Sequence, residues 1–253
     1  MQPVATPGLN NLAGLASRTT VAEPGLESIP GVKDLARQLY TQGSYVMRLM
    51  MHYRVHICPF DRLLRLVPPG SSVLDIACGG GLFIALLAAS GRAAKAVGFD
   101  ASRPAIAIAE AMKGRLNCIA PQAKVRFDLL NCDDRWPDGQ FDVVTMIDLM
   151  HHVPVNEQHI VFDRAVDAVR PGGLFLYKDL SDRPFLAAVW NRLHDLLVAR
   201  RWIHYVPMKT VERWATSRQL STVHAGACTR LVYYHEFRLF RKPRFSTTPV
   251  EAA

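Results

Sequence analysis

The sequence predicts a doubly wound α/β fold built on a mostly parallel sheet. Three observations predict it: short apolar runs alternate with amphipathic stretches, one apolar run enters a glycine-rich turn, and the next ends in an acid, Asp100. With 253 residues and 49% hydrophobic composition, the chain can bury one sizeable core. A single domain is expected over 31–245, between a flexible tail over 1–30 and a second over 246–253.

Taken in order, Leu35, Leu39, Val46, Leu49, Met50, Tyr53, Leu63, Leu64 and Val67 recur at helical spacings broken at Gly43 and Pro59. They predict a helical cap over 31–71. The compact run 72–77, ending in glycines, reads as the first buried parallel strand. Helices are then expected at 82–90, 104–116 and 156–169, and strands at 94–99, 123–129, 141–147 and 173–177. Such alternation implies right-handed crossovers with helices on both faces of the sheet, so 72–180 forms the core. Past Tyr177 the rhythm changes. Phe185, Val189, Trp190, Leu193, Leu196 and Leu197 mark an amphipathic helix, read as a lid inserted over 181–215. The stretch 216–245 carries YYHEFRLF after a turn at Gly226 and is expected to add an antiparallel edge.

Lys and Arg number 30 against 22 Asp and Glu, a net charge of +8. That balance favours an acidic partner or surface, but no nucleic-acid motif accompanies it, so no nucleic acid is expected. The five cysteines form no CxxC pair, which suits a reduced, cytoplasmic protein. No run of about 18 apolar residues offers a membrane span.

The chemistry centres on VLDIACGGGLF, a strand running into a glycine turn and then a helix, where backbone approaches a ligand closely. The dinucleotide fingerprint GxGxxG fails in both registers, and the turn lacks a Walker GK[ST]. Asp75 argues the same way. Its carboxylate would repel pyrophosphate but suits the ammonium and sulfonium of S-adenosylmethionine. Asp100 stands where a carboxylate accepts hydrogen bonds from ribose hydroxyls.

Together VLDIACGGGLF, VGFDAS, FDVVTMIDLMHHVP and AVRPGGLFLYKDL resemble the successive motifs of the class I, Rossmann-like S-adenosylmethionine-dependent methyltransferase family, over 72–180. The resemblance implies that Asp75, Ala77, Gly79 and Gly81 hold the methionine part of that cofactor and Asp100 its ribose. Ala77 departs from the glycine usual there. An acid or amide near the adenine amine is implied among Asn131, Asp133 and Asp134, with Asp133 favoured. The segment from Asp148 to Pro154 is implied to border donor and acceptor, with Asp148 on the cofactor side.

His152 and His151 follow the fourth strand and are the candidate bases for an oxygen acceptor, since an imidazole takes a proton near neutral pH. Lys178 and Asp179 follow the fifth strand and are candidates for holding an anionic or hydroxylated acceptor. Tyr45, Tyr53 and Trp190 are expected to enclose its apolar part. Asp148-x-x-His151-His152 lacks a second ligand cluster, so no metal is expected.

The expected activity is therefore O-methylation, favoured over C-methylation, of a small hydrophobic or aromatic metabolite. The basic and aromatic stretch Arg200-Arg201-Trp202-Ile203-His204-Tyr205 suits presentation of that substrate by an acidic acyl carrier protein or a membrane surface. A silent methyltransferase-like binding protein is the alternative reading.

Overall fold

The structure is a computed structural model that describes residues 31–42, 45–181 and 204–244. Three helices come first: α1 (Val32–Leu39), α2 (Tyr45–Ile57) and α3 (Phe60–Arg65). The sheet and its crossovers follow as β1 (Ser71–Ile76), α4 (Leu82–Ala89), β2 (Ala93–Asp100), α5 (Arg103–Ile119), β3 (Lys124–Leu129), β4 (Phe141–Ile147), α6 (Gln158–Ala168) and β5 (Val169–Leu180). The described chain closes with α7 (Met208–Ser217), β6 (Ser221–Arg230) and β7 (Tyr233–Arg241).

The strands lie in the order β3-β2-β1-β4-β5-β7-β6. From β3 to β5 all neighbours are parallel, while β7 runs antiparallel to both β5 and β6. This is the expected doubly wound fold with a mostly parallel sheet and an antiparallel C-terminal end. One detail differs. YYHEFRLF forms β7, which lies inside the sheet, and β6 takes the edge. Gly226 sits within β6 rather than in a turn, because the Phe237 ring of β7 lies over it; a Cβ there would come within 2.3 Å of that ring.

Alternate residues of the parallel strands feed two cores, one on each face. Val73, Val143 and Leu176 pack under α1, α3, α4 and α5; Leu74, Val144 and Phe175 pack under α6 and α7. Helix α4, LFIALLAA, is apolar all round because it is enclosed all round, with every residue from Leu82 to Ala88 buried. Helix α5 starts where Ser102 accepts a hydrogen bond from the Ala105 N–H at 3.3 Å, with Pro104 in its first turn. On the other face Phe162 of α6 meets Phe175 of β5 and Trp214 of α7, with ring centroids 5.4 and 5.5 Å apart.

Helix α7 occupies the end of the segment expected as a lid, yet its Met208, Val211 and Ala215 are buried in this second core. Residues 182–203 of that lid, with Trp190, lie outside the described residues. Strand β5 also runs beyond the expected 173–177 to Leu180, because β7 pairs with it up to His235. Between β1 and β4 the strand order reverses. At such a switch point the crossovers leave on opposite faces and open a crevice at the carboxyl ends of the strands.

Candidate active site

A cleft of about 710 Å³ occupies that crevice. Its floor is the turn after β1. Ala77, Gly79 and Gly81 all have positive φ, at 56°, 55° and 76°, which coils the backbone tightly between strand and α4. At Gly81 a Cβ would fall 2.6 Å from the Phe127 ring, so only glycine fits. Above Gly79 no atom stands within 4 Å of where a Cβ would project, so the backbone itself faces the cleft. Helix α1 clamps the turn from behind, with the buried Tyr40 hydroxyl donating to the Gly80 carbonyl at 2.7 Å.

Asp100 ties the turn to β2. One carboxylate oxygen accepts the Gly79 N–H and the other the Ser102 N–H, each at 2.8 Å. Each oxygen keeps a second lone-pair direction available toward the cleft it lines. Asp75 lies beneath the turn, 3% exposed, and accepts the Thr145 hydroxyl at 2.5 Å. Burial raises its pKa to about 7 against the opposing effect of that hydrogen bond. After β3, Asp133 and Asn131 line the cleft, whereas Asp134 is turned into its own loop to accept the Asn131 N–H at 2.7 Å. An open backbone floor, a carboxylate suited to a diol and a flanking acid together fit an adenosine ligand with a cationic tail.

Asp148 follows β4 with φ at 56° and also lines the cleft. One of its oxygens accepts the Lys178 ammonium; the other faces Arg54 of α2 at 3.3 Å. Burial alone would raise its carboxyl, but Lys178 and then Arg54 hold it well below the usual carboxylate range. Around this pair, burial pushes the Cys58 thiol up to about 12, and burial together with Lys178 pushes the His235 imidazole down to about 3.

The two histidines part company. His152 is exposed on the cleft wall; His151 is buried, its Nδ1 against Asp179 and its backbone N–H donating to the same carboxylate at 3.2 Å. The two imidazoles nevertheless touch, with centroids 4.1 Å apart.

Four expectations about the acceptor side need correction. Lys178 has no exposed surface and points at Asp148, because β5 continues as a strand buried on both faces. Asp179 is buried with His151 for the same reason and does not line the cleft. Tyr45 and Tyr53, 72% and 45% exposed, are not among the residues that line the cleft. Arg54 and Thr145, by contrast, were not expected at the site. Their partners are 94 and 70 residues away in the chain, so no local pattern marks them. Among the described residues, no group of three or more His, Cys, Asp or Glu is placed to hold a metal.

A family profile described as a methyltransferase domain matches residues 50–225. A ubiquinone biosynthesis O-methyltransferase of Bordetella avium is 28% identical over 163 residues, 62% of this chain and 64% of that protein. An uncharacterized methyltransferase of Synechocystis is 33% identical over 140 residues, 55% of this chain and 60% of its own length. The match spans less than two thirds of these relatives. Among solved structures, the magnesium protoporphyrin IX methyltransferase of Synechocystis with bound SAH superposes with a TM-score of 0.60 at 16% identity. The superposition covers 83% of this chain and 93% of the other, a likeness of fold.

Proposed function

The chain belongs to the class I S-adenosylmethionine-dependent methyltransferase family, and from that premise we propose that it methylates an oxygen of a small, hydroxylated, hydrophobic or aromatic metabolite. The observation that carries the choice of oxygen is His152, an imidazole on the cleft wall braced by a buried His151–Asp179 pair.

Bound in the cleft, S-adenosylmethionine supplies a methyl group activated by its sulfonium. The chain's own residues hold and orient. The Gly79 turn and Asp75 beneath it serve the methionine end, Asp100 the ribose hydroxyls and Asp133 the adenine amine. Orientation accounts for much of the acceleration in such an in-line displacement. A hydroxyl acceptor must also lose its proton as the oxygen–carbon bond forms, and His152 is placed to take it. Asp179 fixes the buried His151 ring, whose contact with His152 sets the angle at which the second imidazole faces the cleft. Ile147, Leu149 and Val153 supply an apolar wall for the acceptor's body.

The +8 charge supports presentation of the acceptor by an acidic carrier protein or an anionic membrane surface. Among the described residues, no helix is long and apolar enough to cross a membrane. Calorimetric titration with S-adenosylmethionine, S-adenosylhomocysteine and NAD tests the donor site. The first two are expected to bind saturably and NAD not at all; binding of NAD alone would overturn the reading. Incubation with methyl-labelled donor and a panel of hydroxylated aromatics then tests turnover, and donor binding with no transfer to any of them would favour a silent binding protein.

A further inference from the structure

Arg54 is the only cation on the cleft wall among the described residues. Its side chain is 39% exposed, and the guanidinium is anchored on one side, Nη2 lying 3.3 Å from Asp148. That is its one hydrogen bond among the described residues. A guanidinium carries five N–H donors in a planar fork, so this one, on the cleft wall, keeps donors that Asp148 does not use. Asp148 is not its partner alone. The same carboxylate pairs with Lys178, which is wholly buried and has no other acid in contact among the described residues. Two cations thus share Asp148, and Arg54 is the one of them that lines the cleft. Ile147 and Leu149 line the same cleft, and an ion pair gains strength beside apolar walls.

We propose that Arg54 receives a carboxylate of the methyl acceptor, which makes the substrate an acidic hydroxylated metabolite. The inference rests on the methyl-transfer reading of the cleft. The amino-acid end of the donor offers the same chemistry, and the experiment must separate the two sources.

Wild type, Arg54→Met and Arg54→Lys are titrated calorimetrically with S-adenosylhomocysteine. Each is then titrated, with that ligand saturating, with 3,4-dihydroxybenzoate and with its uncharged methyl ester. The wild type is expected to bind the acid at least about tenfold tighter than the ester. Arg54→Met should bring the two within about twofold, and Arg54→Lys should keep part of the preference, a point charge replacing a fork. In both variants the affinity for S-adenosylhomocysteine should stay within about threefold of wild type. A loss of about tenfold or more in that affinity would assign Arg54 to the donor's carboxylate and overturn the proposal. So would equal affinity of the wild type for acid and ester, or binding of neither. Failure of S-adenosylhomocysteine to bind the wild type would instead remove the methyl-transfer reading itself.

Discussion

The ammonium of Lys178, with no exposed surface, meets the carboxylate of Asp148 at the end of the neighbouring strand. Breaking a buried pair by removing one partner costs about 3–5 kcal/mol, because the other charge is left uncompensated in a poor solvent. Asp148→Asn is therefore expected to destabilise the fold by about that much, measured by denaturant titration, since Lys178 then has no acid among the described residues. The double variant Asp148→Asn with Lys178→Met should recover a large part of the loss. Additive losses in the double variant would mean that the two side chains stabilise the fold independently.

Asp75 sets a pH dependence of opposite sign to that of Asp148. Its folded pKa, about 7, lies above the usual carboxylate value, so between those limits the folded state binds more protons than the unfolded one. The stability it contributes is full below about pH 4 and is lost as pH rises through 7, with a slope of at most about 1.4 kcal/mol per pH unit. Asp75→Asn should flatten that part of the ligand-free stability profile between pH 5 and 8, on the order of the linkage slope. A cationic ligand favours the ionised form, so donor binding near pH 7 should release protons. Titration in two buffers of different ionisation enthalpy measures that release, and identical heats in both would exclude it.

Ala77 holds a left-handed backbone, φ 56°, in a turn where a glycine is usual. A side chain there costs about 1–2 kcal/mol, which glycine avoids, while glycine's greater freedom in the unfolded chain offsets about 0.5–1 kcal/mol. Ala77→Gly should thus raise stability by up to about 1 kcal/mol in denaturant titrations. A loss of more than about 1 kcal/mol would show that the methyl group makes a contact worth more than the strain it causes.

Positions such as Ala77, Gly79 and Asp100 were legible in the sequence because strand, turn and helix are consecutive, so period and glycine spacing encode the cradle locally. The acceptor side was less so. Lys178 and Asp179 seemed to lie past the end of β5. What extends that strand is its pairing with β7, where Leu180 faces His235, a long-range contact that no window of the sequence contains. Arg54 was hidden for a related reason: within α2 it is one polar residue among many, and only the fold brings it to Asp148. The tyrosines of α2 failed differently, since helical spacing shows that a helix has faces without showing which one meets the cleft.

Asp100 and His152 line the same cleft but serve different steps, and their variants should separate binding from turnover. Asp100→Ala removes the acceptor of both the Gly79 and Ser102 N–H groups, loosening the turn as well as deleting a ribose contact. Affinity for S-adenosylhomocysteine is expected to fall by about tenfold or more, as when a charge-assisted hydrogen bond is lost. His152→Ala leaves that network intact, so affinity should stay within about threefold while turnover falls by about 10²–10⁴, the usual contribution of a positioned base. Equal loss of donor binding in both variants would defeat this division of roles. Full turnover in His152→Ala would leave the proton to solvent and reduce the wall to positioning alone.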